Sequence, residues 1–410
     1  MRTTMATENN NKTLNVPNLR FPEFSGVWTK TLLNNYLEEN KERNKRGIFT
    51  KNHVLSVSGD FGIVNQIELL GRSFAGKSVL DYHVVRTGNI VYTKSPLKEY
   101  PYGIVKVNRG VDGIVSTLYA VYKVKETANG KFVEYYFGLP NRTNRYFKPI
   151  VRIGAKHDMK IGNDEVLANY VVFPCVDEQK RISDFICLLD ERIATQIKII
   201  EDLKKLKSAI SKHLFARKDL LETTICLSDI ATLKNGYAFQ SSKYNPQGKW
   251  KILTIANVSG ERYINDEDCN CIINLPSDIQ NHQVLKEGDI LISLTGNVGR
   301  VSLCTDGNYL LNQRVGLLQL KQGVNREYIY QALSCRRFEQ TMISCGQGAA
   351  QMNIGKGDVE DYTIPYSANS LNLEVLASTL KTYDLLISVE VDRLRLFIQQ
   401  KQYLLAQMFI

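Results

Sequence analysis

The sequence predicts an α+β protein in which two tandem modules are separated by two long helices packed on each other. Three observations predict it: a helical seam that occurs twice, a strand-and-turn pattern ahead of each copy, and positive charge gathered in the first module. The 410 residues suit two to three domains, and 43% hydrophobic content is enough for sizeable cores.

The first helix is read from residues 177–218. Asp177 to Arg217 contains neither Pro nor Gly and is rich in Ile, Leu, Lys and Glu. Its seam runs Ile182, Ile186, Leu189, Ile193, Gln196, Ile200, Leu203, Lys207, Ile210, Leu214, in alternating steps of four and three. That 3.5-residue period marks a coiled-coil seam. A second seam lies 194 residues on: Leu376, Leu380, Tyr383, Ile387, Glu390, Leu394, Phe397, Lys401, Leu404, Met408. The two polar interruptions fall at the same places in both, which unrelated helices would rarely share. The second helix is expected over 371–410. A heptad seam cannot bury itself alone, so two similar seams in one chain should pack together. At about 1.5 Å per residue each helix would run about 60 Å.

The modules are expected over 15–176 and 219–370. HVVRTGNIVYTKS, from His83, parallels QVLKEGDILISLT, from Gln283, with Gly88 facing Gly288 and Ile90 facing Ile290. Both segments alternate apolar and polar residues between turn formers, so they read as short strands. Residues 1–14 are polar (Met1 to Lys12 reads MRTTMATENNNK) and are expected to form a disordered tail, not a signal peptide.

Charge is uneven along the chain. Residues 1–176 carry 25 Lys/Arg against 15 Asp/Glu, residues 177–218 carry 10 against 7, and residues 219–410 carry 17 against 20. A polyanion should therefore lean hardest on the first module. No run of about 18 apolar residues is present to span a membrane. The eight cysteines are scattered, and the close pair Cys269 and Cys271 has poor spacing for zinc, so free thiols in a reducing cytoplasm are expected.

With this layout the sequence resembles the specificity subunit of type I restriction-modification systems. The likeness is carried by VPNLRFPEFSGVW from Val16, DEQKRISDFICLLDERI and IIEDLKKLKSAISKHLF in the first helix, and LSDIATLKNGYAFQSSKY at the start of the second module. LTGNVGR, LNQRVG and GQGAAQMNIGKGDVEDYTIP follow, and the last helix ends LLAQMF. The resemblance implies two tandem α/β target recognition domains, each reading one half of a split double-stranded DNA sequence. They would be separated by two long helices packed as an antiparallel coiled coil. It further implies two modification (methyltransferase) subunits as partners, which carry S-adenosylmethionine and methylate adenine, and restriction motor-nuclease subunits. The chain itself would hold no cofactor.

Arg, Asn and Gln discriminate bases by bidentate hydrogen bonds, while Lys and Arg anchor phosphates. In the second module such groups gather in loop-like stretches: Thr295, Asn297 and Arg300; Asn312, Gln313 and Arg314; Gln347, Gln351 and Asn353. Lys234, Tyr237, Lys243 and Tyr244 form a further basic-aromatic set. In the first module Lys94, Ser95, Lys98 and Tyr100 offer the same mix, with Arg72, Lys77 and Arg109 beside them.

Two other function classes compete. Gly71 to Ser78, GRSFAGKS, matches the phosphate-binding loop pattern of nucleotide hydrolases. That loop needs a buried strand before it and a helix after it. Upstream IELL is short, and downstream VLDYHVV is β-rich, so a glycine-rich turn is the better expectation. The Asn/Asp-Pro-Pro-Tyr/Phe motif of adenine methylases does not occur, and five dispersed histidines suggest no triad or metal. A coiled-coil scaffold binding only proteins is the other rival, and the basic first module argues against it.

Overall fold

The computed structural model describes residues 2–3, 15–76, 78–96, 100–153, 159–346 and 352–410. The chain forms two compact units, Met1–Thr195 with Leu394–Ile410, and Gln196–Arg393.

The first unit contains β1 (Thr29–Leu32), β2 (Leu37–Glu39), β3 (Leu55–Ser58), β4 (Gly62–Asn65) and α1 (Gln66–Leu70). Then come β5 (His83–Val85), β6 (Ile90–Thr93), β7 (Val105–Val107), β8 (Gly113–Val115) and β9 (Tyr119–Val124). They are followed by α2 (Gly130–Tyr136), α3 (Pro140–Phe147), β10 (Tyr170–Phe173) and the start of α4 (Val176–Phe215). Its central sheet is antiparallel, in the order β2-β9-β6-β7. β10 pairs with β1 immediately before the chain enters α4.

The second unit repeats this plan. Its strands are β11 (Thr223–Cys226), β12 (Ala231–Asn235), β13 (Trp250–Leu253), β14 (Asn270–Ile272), β15 (Ile290–Ser293), β16 (Val301–Leu303), β17 (Tyr309–Leu311), β18 (Val315–Leu320) and β19 (Thr363–Tyr366). Its helices are α5 (Arg326–Leu333), α6 (Arg336–Cys345), α7 (Lys356–Glu360) and most of α8 (Ser370–Met408). The antiparallel sheet order is β12-β18-β15-β16, the same path as in the first unit. β11 pairs with β19 just before α8. The segments matched in sequence sit at equivalent places, for β6 starts at Ile90 and β15 at Ile290. Each follows a turn whose glycine, Gly88 or Gly288, has φ of +86° or +81°, a conformation costly for other residues. The repeat is structural as well as sequential.

The two helices are continuous over nearly the expected spans, but each is divided between units. The cause is visible in the cores. Ile182, Ile186 and Leu189 of α4, with Leu404, Leu405 and Met408 of α8, join Trp28, Phe132 and Phe173 in the first core. Leu373, Leu376 and Ala377 join Tyr328, Phe338 and Met342 in the second. Every seam position read from the sequence is buried or half-buried. In the first unit Lys401 pairs with Asp190, and Arg192 stacks 4.0 Å from the Phe397 ring centre, so the helix halves run antiparallel. In the second unit Gln196 bonds Glu390 and Lys207 bonds Asp384, again antiparallel. The shared polar interruptions are thereby matched: Gln196 meets its own repeat equivalent, and each seam lysine meets an aspartate of the opposite helix.

GRSFAGKS lacks the surroundings of a phosphate-binding loop. IELL, a strand under that reading, belongs to the short helix α1, capped by Asn65 Oδ1 accepting from Ile67 and Glu68 N. Gly71 ends that helix, and no helix follows among the described residues before β5. No described helix is long and apolar enough to cross a membrane, and no described group of three His, Cys, Asp or Glu residues could hold a metal ion.

Candidate nucleic-acid interface

In the second unit an open polar cleft of about 530 Å³ gathers Asn235, Thr295, Gln313, Arg314, Asn353 and Lys356. Four of these are among the expected DNA contacts, drawn from three sequence-distant segments. Their assembly follows from the sheet. β12 ends at Asn235, and Gly236 crosses so close to the β17–β18 turn that an added Cβ would stand 2.1 Å from the Asn312 carbonyl oxygen. Asn312 Oδ1 accepts from Arg314 N at 3.2 Å, while Gln313 N donates to Tyr237 O at 3.0 Å. Backbone bonds thus hold the turn and leave the exposed Gln313 and Arg314 side chains to project. Among the described residues the Arg314 guanidinium has no ion-pair partner.

Thr295 follows β15 and is buried, its hydroxyl donating to Asn353 Oδ1 at 2.7 Å. Gly296 N to Met352 O and Ile354 N to Leu294 O, both 2.9 Å, fasten the same strand end to the segment leading into α7. Lys356 opens α7, and its exposed side chain pairs with the half-buried Glu360 at 3.6 Å. The cleft therefore presents three amides and two cations on a backbone-bonded floor, a donor and acceptor set suited to base edges and phosphate.

The other second-module candidates lie elsewhere. Asn297 is exposed, while Arg300 pairs with Glu339 at 3.6 Å beside Gly260. Tyr237 donates to Asp278 at 2.9 Å, Lys243 is exposed, and Tyr244 packs against the small core of Ile252, Ile272 and Leu310. Lys234 lines a second cleft of about 470 Å³ with His282, Lys286 and Arg326. Those three residues, like Asn235 and Lys356, carry no motif that singles them out in sequence. Gln347 and Gln351 lie outside the described residues.

In the first unit Lys94 is half-buried, with Nζ donating to Ile161 O at 2.8 Å and Asn163 Oδ1 at 2.6 Å. Burial pushes its pKa below the ordinary lysine value, opposed by Glu39, Glu165 and Asp164. Its charge is thus engaged within the module. Ser95 is exposed, and Tyr100 Oη donates to Gly138 O at 2.6 Å. Arg72 stacks 4.6 Å from the centre of the Phe74 ring. Arg109 bonds Glu134 at 3.0 Å. Lys77 and Lys98 lie outside the described residues.

A further basic run lies outside these motifs. Lys41, Arg43, Lys45 and Arg46 are exposed in the segment after β2, the place that Gly236 to Phe239 hold after β12. Arg43 donates to Asp81 O at 2.9 Å and Lys45 pairs with the Asp81 carboxylate, while the Lys41 side chain is 84% exposed. Its signal in the sequence is plain, KERNKR, four cations in six residues.

Residues 222–394 match a family model described as "Type I restriction modification DNA specificity domain". No curated protein matches the chain in sequence. Among solved structures, the type I restriction-modification system S subunit from M. genitalium is similar, with a TM-score of 0.57 at 13% identity over 96% of this chain and 99% of that one. A chain from a study of complex assembly and conformational transition in the type I R-M system is similar too, with a TM-score of 0.55 at 15% identity, covering 93% and 97%. These likenesses establish the fold, and the family model establishes the second module. Residues 222–394 are a type I restriction modification DNA specificity domain, set in a chain with the fold of a type I S subunit.

Proposed function

We propose that the chain is the DNA specificity subunit of a type I restriction-modification enzyme, with each unit reading one half of a split double-stranded target. One observation carries this: the sheet of the specificity domain, in the same strand order and each time followed by a long helix, occurs twice. Two readers in one chain suit two half-sites. The cleft around Arg314 and Asn353 serves one half, and the basic first module serves the other, with the KERNKR segment anchoring phosphate.

In this reading the helices set the spacing of the half-sites and dock two modification subunits, with the restriction subunits joining that complex. S-adenosylmethionine and adenine methylation belong to the modification partner, and this chain is non-catalytic. The GRSFAGKS segment, preceded by the short helix α1 and followed by no helix among the described residues before β5, gives no support to a nucleotide-hydrolysing reading.

The test is to sequence methylated adenines in a host carrying the complete system. A motif of two specified blocks around unspecified bases is expected. Methylation within one uninterrupted block would overturn the reading.

A further inference from the structure

α2 and α5 are equivalent helices, capped by Asn129 and Asn325 through side-chain oxygens that accept from Phe132 N and Tyr328 N. Each turns a polar side chain of its second turn onto an aspartate of a long helix. Tyr135 Oη donates to Asp190 Oδ2 at 2.6 Å, and Gln331 Nε2 donates to Asp384 Oδ2 at 2.7 Å. The second oxygen of each aspartate takes a lysine from the opposite long helix, Lys401 on Asp190 and Lys207 on Asp384. The aspartates are one repeat apart, and so are the lysines. The same three-way junction therefore stands in both units: module helix, aspartate of one long helix, lysine of the other.

Behind each junction is an arginine–glutamate pair. Arg109 bonds Glu134 at 3.0 Å and stacks 5.6 Å from the Tyr135 ring centre. Arg262 grips Glu327 through two bonds of 2.7 and 2.6 Å, reaches Asp384 at 3.2 Å and stacks 5.1 Å from the Tyr330 ring centre. The second junction is deeply buried, with Arg262 and Asp384 side chains 8% and 9% exposed. Buried charge is a poor way to gain stability, since apolar residues hold two surfaces together as well. What charge-assisted bonds add is direction. One carboxylate taking donors from two other elements fixes three elements against each other. The donor differs between the copies, tyrosine in one and glutamine in the other, yet the bond to aspartate is present in both.

We propose that Asp190 and Asp384 are positioning residues for DNA recognition, each fixing the angle at which its module stands on its pair of helix halves. They touch no base, yet they select the spacing between half-sites. This rests on the reading of the chain as a specificity subunit with two half-sites.

The full-length chain, complexed with its modification subunits, is offered duplexes with the half-sites held constant and the spacer varied by single base pairs. The variants are Asp384→Asn, Asp384→Glu and Tyr135→Phe, the last removing one hydroxyl while keeping the ring. Wild-type protein selects one spacer. Asp384→Asn and Tyr135→Phe keep both half-site sequences, but their discrimination against spacers one base pair longer or shorter falls about tenfold, the scale of one charge-assisted bond. Asp384→Glu restores most of it. If Asp384→Asn does not fold, Tyr135→Phe decides alone. Wild-type spacer discrimination in folded variants would overturn the proposal, as would equal loss of binding at every spacer length. Should wild-type protein select no split target at all, the functional reading fails, and the positioning role with it.

Discussion

His83 lies in β5 with 1% of its surface exposed, and its Nδ1 has no hydrogen-bond partner among the described residues. Burial, helped by the charge of Arg43, lowers its pKa from the usual 6.5 to about 4. The unfolded chain therefore binds a proton at this site between pH 6.5 and 4 while the folded chain does not, so stability falls as pH drops through that window. The full effect is up to about 3 kcal/mol. His83→Gln should flatten the pH dependence of the first unit's melting temperature between pH 7 and 4, with little change above pH 7. An equally steep acid loss in the variant would show that His83 is not the responsible group. The buried histidine is invisible in sequence, because its neighbours, Asn40 and Arg43, reach it from the segment after β2, some forty residues earlier. Lys94 has the same history: a basic residue in an inviting loop, it is drawn inward by Ile161 and Asn163, far along the chain.

At the scale of elements, periodicity was the most legible feature. The seam was readable because burial along a helix recurs at a fixed step, and one face of each long helix must be covered. Its polar interruptions are equally plain in the sequence, but their purpose shows only in the packing of the two helices. Gln196 Nε2 donates to both the carboxylate and the backbone oxygen of Glu390, and Arg393 also bonds that carboxylate, at 2.9 Å. Such a layer specifies register at some expense in stability. Replacing Gln196 alone by Leu should lower the melting temperature, by about 1–3 kcal/mol of stability for the buried carboxylate's lost partner. The double change Gln196→Leu with Glu390→Leu should recover that loss or exceed it. A double variant less stable than the single would mean that the pair is a net source of stability. Short elements were less legible. IELL is too short to show a period, and the Asn65 cap and the Gly71 stop are what make it a helical turn.

For the whole molecule, the duplication was legible and the cleft was not. Arg314, Asn353 and Lys356 mean little singly, because strand pairing brings their segments to one sheet end, and pairing partners are not written locally. Lengthening both long helices tests the spacing role. One heptad inserted at matched points of α4 and α8 keeps every seam residue facing its partner. It adds about 10 Å of helix. The spacer should grow by up to about three base pairs, given about 34–36 Å per turn of DNA, with the half-site sequences unchanged. An unaltered spacer with intact binding would show that the helices only dock partners.

The two-reader reading is tested most directly by damaging the modules separately. Target selection from random duplex DNA would be run on the full chain in its complex, comparing wild type with Arg314→Ala and with a variant carrying Lys41→Ala, Arg43→Ala and Arg46→Ala. Arg314→Ala should relax one half-site, at about 1–3 kcal/mol for a lost bidentate contact, and leave the other block as specific as before. The first-module variant should keep the Arg314 half-site while binding the opposite half more weakly, with a shallower salt dependence. Equal degradation of both halves by either variant would contradict division of the target between two readers.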